Sequence, residues 1–395
     1  MALSQTRQSP GVYSVEALPA APKGLPTGVP AFLGLTEQGT AEQPVRVALW
    51  SQFVEVFGAP REDAYLGIAV RGFFANNGRF CFVVPLDEKL EPDRALANGL
   101  AAIRDLRDID LVCVPDLFRL RSPGERGRPA TDAGEAALLQ QRSRVLQQLV
   151  LDECDKDGQR FALLDSLENA GPSAVLEQRG WLHGTNGALY YPWVRPYDWP
   201  TFVPPCGHVA GIVSRTDEQV GVHKAPANEV LEGVLDLERA LTESQQAEVN
   251  PAGVNCLRAF RGRGIRVYGA RTLSTDPAWT YIPVRRLFLT AARWVERNLV
   301  EVTFEPNNTA LWVRIERELG AYFEQLFHQG ALRGATPEQA FYVKCNAETN
   351  SAADRDAGTV TTEIGLAPAV PNEFVVVTIV HQPGGVSVLG PVRPT

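Results

Sequence analysis

Histidine is scarce in this sequence. His183, His208, His223, His328 and His381 are the five present, and they lie far apart. None sits in a GxSxG, HExxH or HxE…PCxxC context, so the common nucleophile–base and zinc arrangements have no footing. Cysteine pairs are missing too. Cys81, Cys113, Cys154, Cys206, Cys256 and Cys345 are scattered without a CxxC, and those inside RFCFVV and DLVCVP read as small buried hydrophobes. All six are expected as free thiols of a reducing compartment. Cys206 and His208 make a lone CxH, with His223 further on, but no fourth ligand or metal spacing accompanies them, so no metal site is expected.

A basic surplus is also absent. The formal charge of -8 with a pI near 5.4 argues against a nucleic-acid partner. No apolar run approaches the roughly 18 to 20 residues that span a bilayer, and the polar start, Met1 to Pro10, has no apolar region behind it. The chain is thus expected to be made in the cytoplasm and to stay soluble there, without membrane insertion. Two glycine-bearing stretches fail their context. Val114 to Glu135, with the loop Arg121 to Asp132 in it, sits where a catalytic loop would, yet lacks GxGxxG and GxxxxGK[ST] and reads as an exposed variable insertion. Gly262 and Gly264 form a GxG that is followed by a strand, which offers no helix N-terminus to a phosphate. The carboxylate pairs Asp87/Glu88 and Asp354/Asp356 lie in polar segments and read as solvated. No catalytic residue and no cofactor is expected.

What is present is a chain of 395 residues with 45% hydrophobic and 21% charged content, ordinary for a globular protein and long enough for two cores. The division read from it is an extended arm over 1–28, an α/β domain over 29–250, an α+β domain over 251–372 and a terminal strand or arm over 373–395. From Val29 to about Arg195, strands such as VPAFLGLT, RFCFVVPL, DIDLVCVPDL, RFALLDSL and ALYYPWV alternate with helical segments. Runs of this kind are apolar on both faces, and parallel neighbours need helical crossovers, so a mainly parallel sheet covered by helices is predicted. HVAGIVSRTDEQ reads as a helix, Thr242 as the cap of a short one, and AGVNCLRAFRGRGIRVYGARTL as a hairpin turning at Arg261 to Gly264. Tyr281 to Leu299 reads as a helix with Val284, Leu287, Phe288, Ala291 and Val295 inward.

The most self-consistent stretch runs from Glu301 to Tyr342. A strand ends at Pro306, and Asn307, Asn308 and Thr309 supply helix-start residues. Leu311, Ile315, Leu319, Tyr322, Phe323 and Leu326 then share one helical face, with Arg314, Arg317, Glu324 and His328 opposite. Gly330 stops the helix. Thr336, Pro337 and Gln339 predict a capping box opening a second helix, and TVTTEIGLAPAVPNEFVVVTIV predicts two strands joined by a proline-containing turn.

Five prolines between Pro10 and Pro30 deny the start of the chain a helix, while Val12, Tyr13 and Val15 are strand formers. At the other end, FVVVTIV (Phe374, Val375, Val376, Val377 and Ile379 among it) is nearly uncharged strand material. Open-edge segments of this kind need protection, and strand addition between neighbouring copies provides it. Ends given to different neighbours make heterologous contacts, which build open helical polymers or rings. The residues alone therefore lead to a self-assembling α/β protein.

The order FEPNN, LW, a long helix, GALRGATPEQAFYVKC and TEIGLAPAVPNEFVV resembles the C-terminal domain of contractile phage tail sheath proteins and their relatives in bacterial contractile injection systems. The likeness extends to Val203–Leu231, Arg261–Leu273 and Pro10–Glu16. It implies a structural subunit that stacks helically around an inner tube, joins baseplate and terminator proteins, and contracts without consuming nucleotide. It assigns donated strands to Val12–Ala17 and Phe374–Val380, and part of the receiving sheet to Thr361–Leu366, including Thr361, Glu363, Ile364 and Leu366. The helix from Thr309 to Gln329, with Arg314, Arg317, Glu318 and Glu324, becomes the candidate tube-facing element, and the first domain lies outward. A closed-ring or baseplate protein of the same machine, and an α/β enzyme, stay open as alternatives.

Overall fold

A computed structural model describes residues 25–125, 133–299, 305–371, 378–382 and 385–389. In chain order the strands are β1 Pro30–Gly34, β2 Val45–Val47, β3 Cys81–Pro85, β4 Leu111–Cys113, β5 Phe161–Asp165, β6 Gly187–Tyr191, β7 Val194–Pro196, β8 Val234–Leu237, β9 Val254–Phe260, β10 Gly264–Tyr268, β11 Phe341–Lys344, β12 Glu363–Leu366, β13 Thr378–Gln382 and β14 Gly385–Leu389. The helices are α1 Trp50–Phe57, α2 Leu66–Ala75, α3 Pro92–Ala102, α4 Ala133–Asp157, α5 Pro172–Trp181, α6 Cys206–Gln219, α7 Glu243–Val249, α8 Ile282–Asn298, α9 Thr309–His328, α10 Pro337–Ala340 and α11 Ala352–Asp356.

Eight strands form one sheet in the order β10-β9-β6-β5-β4-β1-β3-β2. From β9 to β3 all neighbours run parallel, and β10 and β2 close the two sides antiparallel. The continuous apolar strands are buried on both faces, as a parallel sheet between helix layers demands. Phe32 and Leu163 point into one core with Phe53, Phe73 and Val209 of α1, α2 and α6. Ala31, Leu33 and Leu164 point into the other, with Leu96, Val150 and Val175 of α3, α4 and α5. Asp116 ties this body together at the carboxyl end of β1. It accepts from the Leu35 N–H at 2.7 Å and from the Tyr65 N–H, and burial raises its pKa to about 6.

The hairpin β9–β10 falls beyond the expected division at 250/251, yet it is hydrogen-bonded to β6 and is part of the eight-stranded sheet. Past α8 the chain builds a smaller α+β unit. There α9 packs through Leu311, Trp312, Ile315, Leu319 and Phe323 against the two-stranded sheet β11–β12. The cap at Asn308 forms as predicted, accepting from the Ala310 and Leu311 N–H groups, and Gly330 takes φ +77. The predicted capping box does not form. The Gln339 side chain instead accepts from the Ala335 N–H at 3.0 Å, and the Thr336 hydroxyl sits beside Glu338 and holds that carboxyl below its usual range. The following helix is accordingly a single turn, because β11 begins at Phe341. The strand expected over Glu301–Phe304 lies outside the described residues.

Candidate assembly interface

The amino-terminal segment enters the body through a buried clamp. The Val29 N–H donates to Asp110 Oδ1 at 2.6 Å and the Gly28 N–H to Asp110 Oδ2 at 3.1 Å. Arg293 of α8 donates to the Pro26 carbonyl at 3.1 Å and to the Arg107 and Asp108 carbonyls at 3.0 and 3.2 Å. Arg286, one helical face along, bridges two carboxylates. It reaches Asp217 of α6 at 2.9 and 2.6 Å and Asp110 at 2.8 Å, and its side chain is only 2% exposed. Burial works against the Arg286 charge, but the two carboxylates outweigh it and raise the pKa; burial also pushes Asp217 up, against the pull of Arg286. A guanidinium does not lose its proton in such a setting, so Arg286 carries its charge here. Gly28 is required by the path itself: its φ is +66, and a Cβ there would stand 2.5 Å from Ser214 Cα on α6. Three elements far apart in sequence, the start of β4, α6 and α8, thus hold residues 26–29 in one course.

Toward the other end of the chain lies the small two-stranded sheet. β11 and β12 pair antiparallel, Tyr342 opposite Gly365 and Lys344 opposite Glu363, with the Tyr342 hydroxyl donating to Glu363 at 2.6 Å. Among the described residues no backbone hydrogen bond reaches the far edge of β12. Thr361 precedes this strand, tied on both backbone groups to the Asn350 side chain at 2.7 and 2.9 Å, while Glu363, Ile364 and Leu366 lie in it. On α9, Arg317 and Glu324 are exposed, and Arg314 is half-buried and bonded to Glu318 at 2.9 Å. With Val313, 57% exposed, and His328, they form a stripe along the helix away from its core.

Val12, Tyr13, Val15, Phe374, Val375, Val376 and Val377 lie outside the described residues. Ile379 falls in β13, which pairs with β14 as a hairpin of its own, Ile379 opposite Val388. The sequence reading treated this end as one strand. The Gln382-Pro383-Gly384 stretch was the turn signal that separates two. It also missed Arg286 and Arg293, which lie seven residues apart on the inward side of α8 beside the apolar positions it named.

The carboxyl ends of β1, β3 and β4 open a crevice of about 690 Å³, where an α/β sheet often holds a ligand. Two of its arginines are paired internally. Arg61 pairs with Asp63 and Glu88 at 2.7 and 2.5 Å, and Arg119 with the Tyr65 hydroxyl and Glu168. His208, the other residue of the CxH pair, is buried in α6, where desolvation lowers its pKa to about 4. Neither arrangement places a free acid or base beside a nucleophile.

Residues 154–273 match the phage tail sheath protein central domain, and residues 274–382 the phage tail sheath C-terminal domain. A chain of the contracted helical sheath of the anti-feeding prophage superposes with a TM-score of 0.75 at 30% identity, over 95% of this chain and 100% of that one. The chain belongs to the contractile tail sheath family. A chain of the anti-feeding prophage baseplate, six-fold symmetrised, gives 0.75 at 31% identity over 95% and 100%; the contracted PVC sheath of an extracellular contractile injection system gives 0.73 at 27% over 96% and 99%. The tail sheath protein of Salmonella phage ViI is 26% identical over 53% of this chain, a match that spans only 33% of that longer relative. The relatives and fold neighbours of this sheath-family chain are structural proteins.

Proposed function

We propose that this chain is the repeating subunit of a contractile sheath, polymerising helically around an inner tube and contracting to drive that tube through a target envelope. The observation that carries the reading is that, among the described residues, the far edge of β12 has no strand partner, in a chain 95% of which superposes on a sheath subunit. An edge of this kind is completed by a strand from another copy, which gives affinity through main-chain hydrogen bonds. In this reading Val12–Ala17 and Phe374–Val380 are the donated strands, and Thr361–Leu366 is part of the sheet that receives them. The α9 stripe of Arg314, Arg317, Glu318 and Glu324 faces the tube. The eight-stranded body, with β9 and β10 included, lies outward.

The partners are then further copies of the chain, the tube protein, the baseplate and a terminator, in a particle assembled in the cytoplasm and not inserted in a membrane. No helix among the described residues is long and apolar enough to cross one. The subunit acts without catalysis or cofactor, because contraction releases free energy stored at assembly.

The test is negative-stain electron microscopy of the protein alone and with the products of neighbouring genes. Striated hollow cylinders are expected. Deleting residues 1–18 is expected to leave a folded, soluble monomer that no longer polymerises; tubes formed by the truncated protein would sink the donated-arm assignment, and small closed particles from the intact chain would sink the sheath reading.

A further inference from the structure

The β9–β10 hairpin carries a concentration of positive charge that no carboxylate among the described residues pairs with. Arg258 and Arg266 stand directly opposite each other across the two strands, a placement in which like charges destabilise the pair. Phe260 and Tyr268 flank them on the same face with ring centroids 5.0 Å apart, and the Arg258 guanidinium lies 5.3 Å from the Phe260 ring. The turn adds Arg261 and Arg263, both exposed.

The partners these arginines do have are neutral. Arg258 donates to the Gln246 side-chain oxygen at 2.6 Å, and Arg266 to the Arg263 and Asn228 carbonyls at 3.0 and 2.5 Å. Among the described residues no carboxylate lies within the 4.0 Å of an ion pair with any of the four. The tip also touches little else: a Cβ at Gly262 would find nothing within 4 Å.

The chain that holds this basic knob is acidic overall, at -8. A polyanion such as nucleic acid or an anionic membrane would meet that net charge as repulsion, whereas another copy of the same chain presents carboxylates in excess. Topology gives the direction. β9 runs parallel to the central strands, so the tip projects at the carboxyl end of the sheet, on its outermost side. A knob at one lateral side of a subunit meets a different surface on the next copy, which is the heterologous geometry of an open array.

We propose that the hairpin tip, through Arg258, Arg261, Arg263 and Arg266, docks on a carboxylate-bearing face of an adjacent copy and is a lateral contact of the assembled array, separate from strand exchange at the chain ends. The inference rests on the sheath reading above. Exposed charge contacts at a rim are individually weak and salt-sensitive, so the contact tunes assembly rather than creating it.

Sedimentation of assembled material is to be followed across a sodium chloride series for the wild type, Arg261→Glu/Arg263→Glu and Arg261→Lys/Arg263→Lys. The glutamate pair is expected to raise the protein concentration at which assembly begins about tenfold, or about 1.4 kcal/mol, and to flatten its salt response, while the lysine pair behaves as wild type. Because both positions are exposed, all three proteins are expected to share one thermal midpoint. Carbodiimide coupling of assembled Arg261→Lys/Arg263→Lys protein, with isotopically labelled and unlabelled chains mixed, is expected to join a hairpin amine to Asp or Glu of a different copy. Assembly of the glutamate pair at the wild-type concentration and salt response overturns the proposal. The same result with loss of binding to anionic phospholipid vesicles overturns it in favour of a membrane contact. A wild type that stays monomeric under every condition instead overturns the sheath reading, and this contact with it.

Discussion

The eight-stranded body and the smaller α9/β11–β12 unit solve the problem of sheet edges in opposite ways. In the body, the outer edge of β10 is covered by the chain at 228–231, with the Leu231 N–H donating to Ile265 at 2.9 Å and the Asn228 N–H to Val267 at 2.7 Å. The other side ends in β2, only three residues long and bearing Arg46 at its centre, a short charged edge that discourages pairing. The strands between, with Phe32, Leu163 and Leu189 fully buried, have no surface to offer. The smaller unit buries one helix face and leaves Tyr342 51% exposed on a sheet of two strands, an element that is marginal without further pairing. One region has both its edges covered or blunted; the other, among the described residues, does not.

The largest effect is expected from breaking the clamp that holds residues 26–29 and α8 to the body. Arg286→Met leaves Asp217 buried without its cation and Asp110 with Arg293 alone at 3.8 Å, and is expected to cost about 3 to 5 kcal/mol in chemical unfolding. Adding Asp217→Asn to that variant is expected to recover part of the loss, and a single variant within about 0.5 kcal/mol of wild type would show that the cluster is not what holds the body to α8. Next, Leu319→Ala empties a fully buried site of the smaller unit and is expected to cost about 2 to 4 kcal/mol. If the two regions differ as described, hydrogen exchange accelerates in α9 and β11 while the β1 and β5 amides stay protected; uniform acceleration would mean that they unfold as one.

The smallest effect concerns proton linkage in the body. Asp165, buried and accepting from the Cys206 N–H at 2.8 Å, has its pKa raised to about 7 by desolvation. The folded state therefore binds this proton more tightly than the unfolded chain, and the group gains stability as pH falls through 7 toward the ordinary carboxylate range. Relative to Asp165→Asn, the wild type is expected to gain about 2 kcal/mol between pH 8 and pH 5. His208 titrates in the opposite sense in both proteins, since its lowered pKa forfeits stability as pH falls below its unfolded value, and so cancels from the difference. A gap between the two proteins that does not move with pH would refute the assignment.

Much of the body was legible because burial on both sides leaves continuous apolar strands such as RFCFVV and FALLD, whose only competitor is a short buried helix. The α9 face was legible for a similar reason, its apolar residues recurring at three and four; Trp312, anchored through its indole N–H to Asn307 at 2.8 Å, and Phe327 were left out. The clamp was not legible. Arginines on an amphipathic helix are usually solvated, and what buries Arg286 is a pair of carboxylates 69 and 176 residues away. The hairpin was recognised as a hairpin, but its place in the sheet depends on β6 presenting a free parallel edge, a long-range fact that local pattern does not contain. The capping box failed because β11 starts directly after one turn, so Gln339 was recruited by the loop before it rather than by a helix.

The charges around residues 26–29 are sealed from water, while those on the hairpin tip are bathed in it. Dissolved ions weaken the second kind far more than the first. Brine is thus expected to act on an array of these subunits as a selective solvent, loosening lateral contacts while every root stays seated in its own body. Copies released in this way would keep their fold and, on dilution of the salt, reassemble without refolding.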